Sequence, residues 1–216
     1  MKNVIFIAPP AAGKGTQSDK LVEKYGYVHI STGDILRYAV KEESELGLKV
    51  KSYLDRGKFV TDSIMINLIK DTLMNINKPF ILDGYPRTLK QARALTNILE
   101  ELNISDYKVI FLDVSEDIAM KRALGRMVCS HCKRSYNKYF EELKPKTSGI
   151  CNKCGHKLEV RTDDNKQSFK TRFEDYLSEI ASILEYYKKK ELLIDINAEN
   201  SDKKIFCDII KELNND

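Results

Sequence analysis

The sequence predicts an α/β fold: a five-stranded parallel sheet with helices on both faces and two inserted segments. Three features of the 216 residues carry that expectation. Short, continuously apolar runs recur along the chain, as suits parallel strands covered on both faces. Stretches with helical spacing of apolar residues separate them, which is the alternation that builds βαβ units. Residues 31–60 and 127–160 break this rhythm, the first by its polarity and the second by its cysteines.

The first strand is Val4–Ile7, and it runs directly into Ala8-Pro9-Pro10-Ala11-Ala12-Gly13-Lys14-Gly15-Thr16-Gln17. A buried strand, a small-residue loop ending in Gly-Lys and a following helix form the layout of a phosphate-binding loop. Backbone N–H groups at the helix start offer an anion site, to which Lys14 adds a point charge. The signature G-x-x-x-x-G-K-[ST] is altered here, because Ala8 takes the first glycine position and Gly15 follows Lys14. If Ala11 needs a positive φ, its Cβ costs about 1–2 kcal/mol. A plain strand-turn-helix opening with a surface lysine is the competing interpretation of these residues alone.

The chain then continues in order. A helix from Lys14 to Tyr25 turns Leu21 and Val22 to the sheet, and Tyr27–Ile30 is the second strand. Ser31-Thr32-Gly33-Asp34 has the form of a capping box, which sets Thr32 and Arg37 at a helix start beside a strand end. Residues 34–56 read as polar helix interrupted at Gly47 and ended at Gly57, outside the main core. Thr61-Asp62 caps a helix that buries Ile64, Met65, Leu68, Ile69 and Leu73.

Phe80–Leu82 is the third strand, with Asp83 at its carboxyl end ahead of Gly84-Tyr85-Pro86-Arg87. The helix over about 88–102 puts Arg87 and Gln91 one turn apart, a cation and an amide for one pocket. Lys108–Val114 is the fourth strand. Ser115 caps a helix on which Arg122 and Arg126, four residues apart, share a face; such a pair implies an anion between them or a solvated basic surface. A helix over roughly 163–190 carries Phe169, Phe173, Tyr176, Leu177, Ile180, Ile183 and Leu184 inward, Leu192–Ile196 is the fifth strand, and 202–214 closes the chain.

Cys129-x2-Cys132 and Cys151-x2-Cys154 are separated by eighteen residues. That spacing fits a four-thiolate zinc site, structural because all four positions are filled by protein. Iron is the other metal such a ligand set admits. His131 and His156 read as surface residues, and Cys207 as a buried thiol on the last helix. A zinc ribbon with Lys133, Arg134, Lys138, Lys144 and Lys146 interleaved with Tyr136, Tyr139 and Phe140 could also bind nucleic acid. Glu141 and Glu142 interrupt that patch, and such a ribbon leaves the phosphate loop without a role.

The net charge of +4 is spread along the chain, which argues for anionic ligands more than for a nucleic-acid tail. No run of 18 apolar residues and no signal-peptide pattern is present, so a cytoplasmic protein with reduced thiols is expected. Lys14, Arg37, Arg87, Arg122, Arg126, Arg161 and Arg172 stand at strand ends and at the borders of the insertions. Phosphoryl transfer between two phosphate ligands needs such cations for positioning and charge cancellation, with water excluded by closing flaps. A simple ATPase would need only one phosphate ligand.

In order and spacing these residues resemble adenylate kinase of the long-lid type with a four-cysteine zinc lid. The resemblance runs from Gly13-Lys14-Gly15-Thr16-Gln17 through Ser31-Thr32-Gly33-Asp34, Asp83-Gly84-Tyr85-Pro86-Arg87 and Gly125-Arg126 to Arg161-x-Asp163-Asp164. It implies the P-loop nucleoside monophosphate kinase fold. Residues 1–30, 61–126 and 161–216 would form the core, 31–60 a nucleotide-binding insertion and 127–160 the lid. It implies reversible phosphoryl transfer from Mg-ATP to AMP giving two ADP; because the insertions and not an exposed apolar stripe account for the surface, a monomer that binds neither nucleic acid nor membrane is expected. A kinase preferring UMP or CMP is the nearest alternative.

The resemblance also implies roles. Ala11, Ala12, Gly13, Lys14, Gly15 and Thr16 would wrap the ATP phosphates, and Asp83 would hold water around Mg. Thr32, Arg37, Lys58, Phe59, Val60, Gly84, Tyr85, Pro86, Arg87 and Gln91 would form the AMP site. Arg126, Ser135 and Tyr136 would meet ATP, with Glu199 near its base. Arg122, Arg161 and Arg172 would stabilise the moving phosphoryl, while Asp163 and Asp164 orient the arginines. Ala8, Ala11 and Asn197-Ala198 depart from the family pattern at the phosphate loop and at the ATP-base turn.

Overall fold

The computed structural model describes residues 1–214. Five parallel strands form the main sheet: β1 (Asn3–Ile7), β2 (Val28–Ser31), β3 (Phe80–Asp83), β4 (Tyr107–Asp113) and β8 (Leu193–Asn197), in the order β2-β3-β1-β4-β8. Alternation along the strands divides the core in two. Ile5, Leu82, Val109 and Phe111 face one layer, whereas Val4, Phe6, Ile81, Ile110 and Leu112 face the other. Both faces are therefore apolar, and both are covered by helices.

On the first face lie α4 (Asp62–Met74), α5 (Leu89–Glu101) and the distal half of α7 (Lys166–Lys189), through Met65, Ile69, Leu95, Leu99, Ile183 and Tyr187. On the second lie α1 (Lys14–Tyr25), α6 (Glu116–Gly125), the start of α7 and α8 (Asp202–Asn214), through Leu21, Ala119, Ala123, Phe169, Phe173, Ile205 and Ile209. The long helix α7 thus joins the two halves of the core. Its cap is Asn165, whose side chain accepts from the Ser168 N–H at 2.9 Å.

Between β2 and α4 stand α2 (Thr32–Lys41) and α3 (Glu45–Asp55). The capping box at Ser31 is present, with Ser31 Oγ accepting from the Asp34 N–H. Gly47 does not break the helix, contrary to expectation: the interruption is the turn at 42–44, and Gly47 lies in the first turn of α3. A Cβ there would fall 2.1 Å from the Ala39 carbonyl oxygen, so glycine is what lets the two helices touch. Nor is this segment outside the core, since Leu36, Val50 and Val60 are buried in the first layer.

A second sheet joins β5 (Arg126–Cys129), β6 (Ser135–Asn137) and β7 (Leu158–Glu159) in antiparallel order β6-β5-β7. Its first residue corrects the expected helical pairing of Arg122 with Arg126. Helix α6 ends at Gly125 and Arg126 is extended, and the two guanidiniums take different partners, the Ala12 and Ala198 carbonyls for Arg122 and Asp164 for Arg126. Asn137 Oδ1 would be 2.3 Å from a Cβ at position 125, which shows how closely β6 packs against the helix end.

Four smaller expectations also change. Neither Thr61 nor Ser115 caps its helix through its side chain. Leu177 is 55% exposed, not inward, whereas Tyr187 further along α7 is fully buried. Cys207 is exposed on α8, not buried. Among the described residues, no helix is long and apolar enough to cross a membrane.

Candidate active site

A cleft opens at the carboxyl ends of the main strands, beside the point where β1 separates β3 from β4. Parallel sheets bind ligands there because the chain leaves adjacent strands in opposite directions. The loop after β1 forms its floor. Ala11 has φ +60° and Gly13 has φ +105°, so the loop does place an alanine in the left-handed region. No side chain caps α1 at Gly13, which leaves the helix N-terminus to receive an anion.

Lys14 Nζ curls back to the carbonyl oxygens of Ala8 and Pro9, 3.3 Å from each. Burial pushes its ammonium down to about 8, against the opposing pull of Asp83. Burial would raise the Asp83 carboxyl, but a hydrogen bond from His29 at 3.4 Å and the charges of Lys14, His29 and Arg87 outweigh it. The carboxylate is held ionised. Thr32 Oγ1 donates to the Asp83 carbonyl at 3.1 Å, and at Gly84 (φ +85°) a Cβ would lie 2.6 Å from that hydroxyl.

All seven cations singled out in the sequence line this one cleft, together with Ala11, Ala12, Gly13, Gly15, Thr16, Asp83, Gly84, Phe59, Pro86, Ser135 and Tyr136. Their partners differ. Arg126 makes a two-point contact with Asp164, Nε to Oδ2 at 2.7 Å, and that pairing outweighs burial and raises its pKa. Arg172 meets Asp163 Oδ2 at 3.1 Å, Arg37 meets Asp34 at 2.7 Å, and Arg161 reaches the same Asp34 at 3.3 Å. Burial and then the neighbouring Arg126 and Arg37 push Arg161 down to about 10.

Arg122 instead donates to two carbonyls, Ala12 at 3.0 Å and Ala198 at 2.8 Å, with the Phe140 ring 5.5 Å from its guanidinium carbon. It fastens the phosphate loop to the turn after β8. Arg87 Nε donates to the Gly84 carbonyl at 2.8 Å. Thr32, Lys58, Val60 and Gln91 line a smaller adjoining cavity that shares Arg37, Phe59, Gly84, Arg87 and Arg172 with the cleft. Gln91 is buried there, its Oε1 accepting from the Arg87 N–H at 2.8 Å and its Nε2 donating to Asp62 at 2.8 Å.

Other residues from the sequence sit elsewhere. Tyr85 is fully buried behind the cleft, donating to the Gln91 carbonyl at 3.3 Å. Glu199 lines neither cavity, its carboxylate accepting from the Ser115 N–H at 3.0 Å. The Lys58 ammonium turns away to Asp175 on α7 at 2.9 Å. Sequence reasoning did not single out His29 or Asn137. His29 lies within β2, two residues before the strand end that drew attention to Thr32. Asn137, which donates to the Arg122 carbonyl at 2.8 Å, carries no sequence signal.

In the second sheet, the four predicted cysteines converge. Their Sγ atoms lie within 4.8 Å of one another, with Cys129 to Cys154 at 3.4 Å and Cys132 to Cys151 at 3.6 Å. Four sulfurs each about 2.3 Å from one zinc ion would stand about 3.8 Å apart, so the cluster fits a tetrahedral ion. Burial would raise the Cys151 thiol, yet the Tyr136 hydroxyl and the N–H groups of Cys154 and Lys153 bring it down to about 5, the thiolate form a metal takes. His131 and His156 stack face to face, centroids 4.2 Å apart and planes 12° apart. Both are exposed, and with Cys154 their ring nitrogens also lie within 4.8 Å of one another beside the cluster of four thiols.

Comparison with known proteins identifies the family. A family model described as adenylate kinase matches residues 6–192. A protein named adenylate kinase from Geobacillus sp. (strain WCH70) is 44% identical over 209 residues, covering 96% of each chain. Another of that name from Methanocella arvoryzae is 44% identical over 211 residues, covering 97% of this chain and 96% of its own. One from Bacillus subtilis (strain 168) is 41% identical over 209 residues, covering 96% and 95%.

Proposed function

The chain belongs to the adenylate kinase family, and from that premise we propose how its own residues perform the reaction. It catalyses reversible transfer of the terminal phosphoryl group of ATP to AMP, giving two ADP. The bond from the γ-phosphorus to the β,γ-bridging oxygen breaks, and a phosphate oxygen of AMP forms the new one. The leaving ADP keeps the bridging oxygen. No covalent intermediate on the protein is required, so the catalytic demand is alignment and charge cancellation.

The observation that carries the residue roles is that seven cations and a phosphate loop line one cleft. In this reading the loop from Ala11 to Thr16 and Lys14 hold the ATP phosphates. Arg37 and Arg87 hold the AMP phosphate, and Arg122, Arg126, Arg161 and Arg172 surround the phosphoryl as it passes. Asp163 and Asp164 keep the guanidiniums aimed. Thr32, Lys58, Val60 and Gln91 belong to the AMP pocket, with Gln91 exchanging its bond to Asp62 for the base edge. Ser135 and Tyr136 reach the ATP side. Glu199 acts through Ser115, outside the cleft.

Asp83 has the character of a magnesium partner, since it is an ionised carboxylate facing the phosphate loop. Magnesium, when bound with ATP, neutralises charge between the β- and γ-phosphates. The cysteine cluster suits structural zinc and not the reaction, because its thiols are absent from the cleft lining. Residues 31–60 and 127–160 act as two flaps that exclude water. The same reading has the protein act as a monomer in the cytoplasm, where its thiols remain reduced.

The test is direct. ADP formation from Mg-ATP should be fastest with AMP as acceptor among AMP, GMP, UMP and CMP. Faster turnover with UMP or CMP would reassign the acceptor.

A further inference from the structure

Arg37, Arg126, Arg161 and Arg172 each meet a carboxylate within 4.0 Å, but Arg87 meets none among the described residues. It is nonetheless buried deeply enough that desolvation pushes its pKa down to about 10. Two contacts hold it in place. The Gly84 carbonyl accepts from its Nε at 2.8 Å, and the Phe59 ring centroid lies 5.0 Å from its guanidinium carbon.

Phe59 is placed for this by its neighbours. Lys58 reaches outward to Asp175 at 2.9 Å, and Val60 is buried in the first core layer, so the chain between them is pinned on both sides. Phe59 is half-buried and borders both the cleft and the adjoining cavity. Its ring covers one face of a cation that comes from a different segment, the turn after β3.

We infer that Phe59 is a positioning residue for the acceptor: its ring braces the Arg87 guanidinium, keeping the terminal amino groups turned toward the acceptor phosphate. This rests on the reading of Arg87 as a phosphate contact. The ring supplies an attractive π face without consuming a hydrogen-bond donor, which a carboxylate partner would do. It also keeps water off that face, so the unpaired charge is spent on the ligand.

The experiment compares Phe59→Leu, which keeps apolar bulk and loses the π face, with Phe59→Tyr and Phe59→Trp, which keep it. Phe59→Leu should raise the acceptor KM by about two- to thirty-fold. It should leave the ATP KM unchanged, keep kcat within about two-fold, and raise the KM for AMP and IMP by the same factor, because the phosphate and not the base is affected. Tyr and Trp should stay near the wild-type value. An unchanged acceptor KM in Phe59→Leu overturns the inference, as does a loss confined to one base, which would make the ring a base-stacking surface. A Trp or Tyr variant as impaired as Leu also overturns it. Wild-type protein that phosphorylates no nucleoside monophosphate would instead reject the proposed function, so the two failures are distinguishable.

Discussion

At the scale of single residues, Lys14 is the most consequential group in the cleft, and its burial has a measurable signature. Its ammonium is neutralised near pH 8, far below the ordinary lysine value, because desolvation disfavours the charged form. Only the charged form attracts ATP phosphates. kcat/KM for ATP, which reports free-enzyme ionisations, should therefore be level below about pH 8 and fall toward ten-fold per pH unit above it. The bound phosphates favour the charged form, so kcat should stay level to higher pH. Initial rates from about pH 6 to 10 at limiting and saturating ATP check this, and a level kcat/KM through pH 9.5 would contradict it. Ala11 shows what a sequence can disclose at this scale: a missing glycine in a phosphate loop pointed to a positive φ, and φ is +60°. Arg126 shows the opposite. Its spacing from Arg122 looked helical because nothing in Gly125-Arg126 announces that β6 packs against the helix end and stops it.

Among the elements, those with strong periodicity were legible and those defined by contact were not. The five strands and the helices α1, α4, α5 and α8 emerge within a residue or two of where apolar spacing puts them. The α2–α3 pair was misjudged because its interior is made by Gly47 admitting a close crossing and by a few buried residues, Leu36 and Val50, in a polar setting. Cysteine spacing marked the metal-ligand cluster within 127–160, but not the three short strands that carry it, because those strands are set by pairing and not by an apolar period. Among the described residues, the apolar cluster of this small sheet buries Cys129, Tyr136 and Cys151, too little apolar surface to hold three short strands alone. Metal should supply the difference. Cys151→Ser, or zinc removal by a chelator, should lower Tm by roughly 10 °C, since about 2–4 °C corresponds to one kcal/mol at this size. Bound zinc should fall from one equivalent per chain, read by metal analysis. An unchanged Tm with full loss of metal would show that the sheet holds itself.

Across the whole molecule, residues 31–60 and 127–160, the proposed flaps, are tied to the rest of the chain by ion pairs of unequal kind. Asp34 to Arg161 and Arg37 to Asp163, at 3.3 and 4.0 Å, link cations of the cleft to carboxylates that ligands would have to displace or rearrange. Glu23 on α1 lies outside the cleft and holds two residues of the cysteine-bearing segment, Lys153 at 2.7 Å and Arg134 at 3.6 Å. All three of these side chains are substantially exposed, so the latch is worth about 0.2–1 kcal/mol and no more. That small value suits the proposed flap motion, in which the contact would break at each turnover. Glu23→Gln should then favour opening by about two- to five-fold, raising kcat modestly if release of product limits the rate, and raising the ATP KM in the same proportion. About 1 M salt should produce the same change in the wild type and little further change in the variant, because screening removes what the substitution removes. Asp34→Asn should differ, lowering kcat by disturbing Arg37 and Arg161 directly. Steady-state kinetics of both variants, with fluorophores on residue 146 and the core to follow the opening, separate the two. If Glu23→Gln and the wild type respond identically to salt, the latch does not control the flap.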